Sequence, residues 1–126
     1  MAKADFLKEK AETFLEDAKY DISREKWFAA AFHLEQAVQL YLKYYLFLKL
    51  RRYPKTHSLR NLLEGIGEVY DKKKDVKKII KENANIISDL EQAYITSRYL
   101  PVEFFEDQVK NMERFTKKII KFLKNL

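Results

Sequence analysis

Cysteine is absent from the 126 residues, which excludes disulfides, thiolate metal sites and cysteine nucleophiles. Glycine and proline are scarce: Gly65, Gly67, Pro54 and Pro101 are too few for the repeated tight turns of a β-sandwich or barrel. No long uncharged apolar run is present either. The longest candidate, Trp27 to Leu50, contains His33, Glu35 and Lys43 and is read as a buried helix rather than a bilayer span. The stretch Met1 to Glu9 lacks the apolar core of a signal peptide, so a cytoplasmic location with no membrane association is expected. Histidine is limited to His33 and His57, with no i, i+4 pair, no HExxH and no EF-hand loop, so neither a metal nor another cofactor is expected.

What is present favours helices. Apolar residues make up 47% of the chain, enough to offset ordering entropy, and the length suits one domain over residues 1–126. The net charge of +6 weakly favours polyanionic partners. From Ala4 to Ile22 the residues Leu7, Ala11, Phe14, Ala18 and Ile22 share one helical face. Between Lys26 and Arg51 two apolar stripes run together, one through Trp27, Ala31, Leu34, Val38 and Tyr41, the other through Ala30, Ala37, Leu40 and Tyr44. This second helix is expected at the centre of the fold, with Trp27, Leu34, Val38 and Tyr41 in the core or a dimer seam. Its polar strip, Gln36, Gln39 and Lys43, projects together at i, i+3 and i+7 toward solvent, a partner or a ligand.

Pro54 ends that helix and biases Tyr53 away from the helical region, so Arg52 to Thr56 reads as a connection. Thr56 or Ser58 can cap a third helix carrying Leu59, Leu62, Leu63, Ile66 and Val69, and Gly65 and Gly67 read as its fraying end. Asp75 can cap a fourth helix running to Ser97, with Val76, Ile80, Ile87, Leu90 and Tyr94 on one face. Pro101 suits the first turn of a fifth, whose core face would be Phe105, Val109, Met112, Ile119 and Leu123. The expected fold class is all-α: a five-helix antiparallel up-and-down bundle. A central helix apolar on two faces also leads us to expect a homodimer.

No carboxylate is singled out by its neighbours, and His33 reads as a packed, hydrogen-bonded side chain within an apolar stripe. A more informative series is Phe32, Glu35-Gln36-Ala37-Val38-Gln39, Leu42-Lys43, Thr56-His57-Ser58-Leu59 with Leu62-Leu63, and Arg98-Tyr99-Leu100-Pro101. In order and interval this series resembles the HEPN family. That family carries an aromatic and a Gln-Gln-Ala-small-Glu-Lys run on its second helix, a Thr-His-Asp-Leu step into the third, and an Arg-Tyr-Pro-like step after the fourth. The chain departs from the pattern at Gln39 and Leu40, at Ser58 and at the inserted Leu100.

The resemblance implies a helical dimer acting beside a separately encoded minimal nucleotidyltransferase in a toxin–antitoxin type system, with nucleotide or RNA as ligand. Other members are RNases bearing an Arg, four to six residues, then a His. Arg52 and His57 meet that spacing, but Pro54 places them in a loop where no helical turn holds the pair in register. The expectation is therefore a non-catalytic, nucleotide-binding module or nucleotidyltransferase partner, with Lys43, His57, Arg98 and Tyr99 as binding residues. Arg98 would pair with phosphate and Tyr99 would stack on a base. An RNA-cleaving toxin and a pure protein-interaction module without ligand stand as alternatives.

Overall fold

A computed structural model describes residues 3–96 and 103–126, with side chains from Asp5 onward. Six helices are seen among them: α1 (Lys3–Ser23), α2 (Trp27–Leu50), α3 (Leu59–Val69), α4 (Lys73–Glu82), α5 (Ala84–Thr96) and α6 (Glu106–Lys124). The all-α bundle expected from the sequence is observed, with one more helix than the five anticipated.

α2 packs against α1, α3, α5 and α6. Its pairing with α1 is the most extensive. Ala11 and Ala18 on α1, and Ala30, Ala31 and Ala37 on α2, are all fully buried. Such small side chains let two helix backbones approach closely. The reversal between these helices needs a left-handed residue, supplied by Glu25 at φ 56°, and the Lys26 amide closes it onto the Asp21 carbonyl at 2.8 Å. Leu34 and Val38 are wholly buried and Tyr41 nearly so, as their stripe demanded, whereas Trp27 at the helix start is half-buried against the same core. Apolar exposure on α2 is confined to its ends, at Phe28, Leu48 and Leu50.

α2 stops at Arg51, which takes the left-handed conformation at φ 59° and donates its amide to the Phe47 carbonyl at 2.8 Å. Of the two caps considered for α3, Ser58 is the one used: its hydroxyl accepts the Asn61 amide at 3.2 Å. Thr56 instead accepts the Ser58 amide at 3.1 Å.

Three of the expected helices differ in their bounds from the sequence reading. The expected fourth helix is two helices, broken at Asn83 (φ −125°, ψ 25°). Both the amide and the side chain of Asn83 bond back to the Ile79 carbonyl, at 3.0 and 2.9 Å, which closes α4. Its own carbonyl accepts the Ile87 amide at 2.9 Å and opens α5. An Asn that satisfies backbone locally competes with helix continuation, and apolar periodicity carries no trace of that competition. α4 also begins earlier than expected, capped by Lys72 with Asp75 inside its first turn.

The second difference is at Gly67, which does not fray. α3 continues through it to Val69, and Gly67 is buried. A Cβ built there would lie 3.2 Å from Val76 Cβ and 3.3 Å from the Lys73 Cα, so this glycine admits the close approach of α4. The third is the last helix, which starts at Glu106. Phe105 is its cap residue, 68% exposed rather than in the core, and its amide is received by the Gln108 side chain at 3.2 Å. Val109, Met112, Ile119 and Leu123 form the buried face as expected. Pro101, placed in that helix from sequence, lies outside the described residues.

Candidate functional site

The polar strip of α2 is not open to solvent. Gln39 is 4% exposed and Lys43 6%, while Gln36 is half-buried. The strip is organised by a residue that the sequence reading passed over. Glu35 is wholly buried, and it is the sole acid in α2. That solitude on an apolar helix was the available signal, because an unpaired carboxylate is costly to bury and is kept only with partners.

Glu35 receives two side-chain amides: Gln36 Nε2 donates to its Oε1 at 2.6 Å and Gln39 Nε2 to its Oε2 at 2.8 Å. Burial nonetheless dominates and pushes the Glu35 carboxyl up to about 7 from its ordinary 4.5; the two amides, and more weakly Lys43, oppose the rise, and Glu91 adds to it. Burial likewise lowers Lys43, an effect that Glu35 offsets. The Lys43 ammonium lies 5.7 Å from the centre of the Tyr53 ring.

Since Gln39 spends its Nε2 on Glu35, its Oε1 faces His57, whose Nδ1 lies 3.0 Å away. An amide oxygen only accepts, so Nδ1 carries the hydrogen of this bond. His57 itself is exposed, and its ring stacks on Tyr94 of α5 at 4.6 Å between centroids and 26° between planes. An acid–amide–imidazole chain thus runs from the buried centre of α2 to the surface.

The loop that carries His57 is fixed from below as well. Glu91 on α5 accepts the Leu59 amide at 2.8 Å, satisfying one of the donors left unpaired at the start of α3. Beside His57 the loop exposes Arg51, Arg52, Tyr53 and Lys55.

Of the residues singled out in the sequence, the fold brings Gln36, Gln39, Lys43 and His57 into one neighbourhood. Arg98 and Tyr99 lie outside the described residues. Arg52 and His57 sit in a non-helical connection, as Pro54 indicated. His33 belongs elsewhere. Its Nδ1 is 2.6 Å from Asp21 Oδ2, and its ring lies 5.8 Å from Phe14 and 5.7 Å from Phe32, a packed and bonded histidine. Among the described residues no grouping of His, Asp and Glu could hold a metal ion, and no helix is long and apolar enough to cross a membrane.

The fold is thus a small helical bundle whose central helix threads a polar chain out to a cationic loop. The chain belongs to the HEPN domain family, whose model matches residues 4–126. No curated protein and no solved structure matches it significantly.

Proposed function

We propose that the chain is a non-cleaving HEPN module that takes a nucleotide or RNA phosphate at the 51–58 loop and acts with a separately encoded minimal nucleotidyltransferase. The observation that carries this reading is the placement of exposed His57, oriented from behind by Gln39, in a loop that also exposes Arg51, Arg52, Tyr53 and Lys55. Guanidinium and ammonium groups pair with phosphate oxygens, and an exposed tyrosine ring offers a face to a base. Arg98, which follows α5 in the chain, would pair with a phosphate through its planar guanidinium and Tyr99 would stack on a base. Self-association as a two-fold dimer belongs to the same reading, supported by the apolar ends of α2 at Phe28, Leu48 and Leu50.

Against cleavage stands the shortage of proton carriers. General acid–base hydrolysis of RNA needs one group to take a proton and another to return one. His33 is committed to Asp21 and Glu35 is wholly buried, leaving His57 as the one imidazole at this surface. A second reading, RNA cleavage, is favoured by the exposed imidazole of His57, with a partner copy supplying the second proton carrier. One experiment separates the two: an RNA cleavage assay of wild type beside Arg52→Ala and His57→Ala, paired with nucleotide titrations of wild type, His57→Ala and Arg98→Ala. The expected outcome is no cleavage by any form, with modest binding that falls with salt and weakens in both titrated variants. Cleavage by wild type that is lost in both loop variants establishes the RNase. Binding indifferent to His57 and Arg98 removes the site.

A further inference from the structure

The positive charge of the chain is concentrated in two stretches. Residues 72–82 hold six lysines against Asp75 and Glu82, and residues 117–124 hold four lysines and no acid. Together they carry a net +8 where the whole chain carries +6, so everything else is net −2. The fold sets these stretches on opposite sides of one groove of about 650 Å³ between α4 and α6. Lys72 and Lys78 stand on the α4 side, Lys118 and Lys121 on the α6 side, all four exposed. The two helix backbones do not approach each other directly. Between them lies an apolar floor, with Ile79, Phe122 and Leu126 half-buried above the buried Phe115 and Ile119.

We propose that this groove, remote in sequence from the 51–58 loop and independent of the reading given for it, docks an acidic amphipathic helix from a partner protein. An apolar stripe on that helix would cover Ile79, Phe122 and Leu126, and Asp and Glu on either flank would meet the lysine walls. The dimensions suit it: α4 has 10 residues, so the wall is roughly 15 Å long, matching an i, i+3/i+4, i+7 stripe. Asp75 and Glu82 interrupt the α4 wall and leave room for a basic residue in the acidic flank.

Other occupants fit less well. Single-stranded RNA binds on open aromatic faces, yet the one ring accessible on this floor is the half-buried Phe122, and neither stretch contains an arginine. A flat anionic membrane cannot reach apolar side chains at the bottom of a groove. Two copies joined through this face would set lysine against lysine.

The test uses the full chain and a fluorescent peptide of about 18 residues, roughly 27 Å as a helix, with leucines on one stripe and glutamates on both flanks. Its comparators are a scrambled peptide of the same composition and a labelled oligouridylate. Wild type is measured beside the triple variant Lys78→Glu, Lys118→Glu, Lys121→Glu; these side chains are exposed, and an unchanged melting temperature certifies the fold. The expected result is that wild type prefers the amphipathic peptide over the scrambled one by at least about tenfold, and that the triple variant loses at least about tenfold of that affinity. Equal binding of the scrambled peptide, an unaffected triple variant or no binding at all overturns the proposal. Tighter binding of oligouridylate overturns it in favour of a nucleic-acid surface.

Discussion

α2 and α4 treat their polar residues in opposite ways. α2 is apolar around most of its circumference, and its acid, amides and lysine are drawn inward with it, where each needs a partner. α4 has Val76 as its one buried residue and leaves all its lysines exposed to water. The consequence is that polar groups on α2 are held in place by buried partners, whereas α4 presents its charge at the surface. A polar substitution on α2 is therefore felt through folding, and one on α4 through binding.

The sharpest way to break this contrast is to put a charge where α2 has no partner for it. Val38 is wholly buried, and Val38→Asp leaves an uncompensated carboxylate in the core, expected to cost about 4 kcal/mol and to lower the melting temperature steeply. A thermal melt indistinguishable from wild type would show that α2 is not the centre of the fold.

The native charge on α2 should sharpen the same contrast through pH. Glu35 is raised to about 7 from 4.5, so between those values the folded chain holds a proton that the unfolded chain has released. Stability contributed at this position is full below about pH 4.5, declines as pH rises to about 7 and is level above, a total of about 3 kcal/mol. Glu35→Gln removes the titration, so the stability difference between variant and wild type should change across that window. Urea unfolding at several pH values measures it; a pH-independent difference would mean that Glu35 is ionised throughout.

A smaller effect contrasts the two glycines of α3. Gly67→Ala meets backbone and a β-branched neighbour at 3.2 to 3.3 Å, neither of which can rotate away, and is expected to destabilise by about 1 kcal/mol despite the better helix propensity of alanine. Gly65→Ala meets only the Leu46 side chain, at 3.4 Å, and should be neutral or stabilising by up to about 1 kcal/mol. Chemical denaturation of both variants decides the order, and equal effects would show that α4 does not depend on Gly67 for its seat.

The same contrast explains what the sequence disclosed. Periodicity exposed the helices and the buried faces, because Leu34, Val38, Val109, Met112 and Ile119 recur at helical spacing for a packing reason. It missed the break at Asn83, where local hydrogen bonding decides, and it let Phe105 pass as core because a cap residue continues the pattern without joining the face. Gln39 and Lys43 were legible as one strip through their helical spacing, and His57 through its place in the family-like series. Glu35 had a signal that went unused, its solitude as the one acid of α2, whereas Glu91 had none: one acid among 19 on an amphipathic helix reveals itself only when the fold shows which amide it meets.

The bond from the Leu59 amide to Glu91 has a dynamic consequence. It joins the first turn of α3 to the middle of α5, which also supplies Tyr94 beneath the His57 ring. Swinging the loop outward therefore means opening both helices at once rather than fraying one. The two are expected to open as one unit, which slow hydrogen exchange at the Leu59 amide would report. A ligand arriving at His57 would then meet a face already ordered from behind by Gln39 and from below by Tyr94.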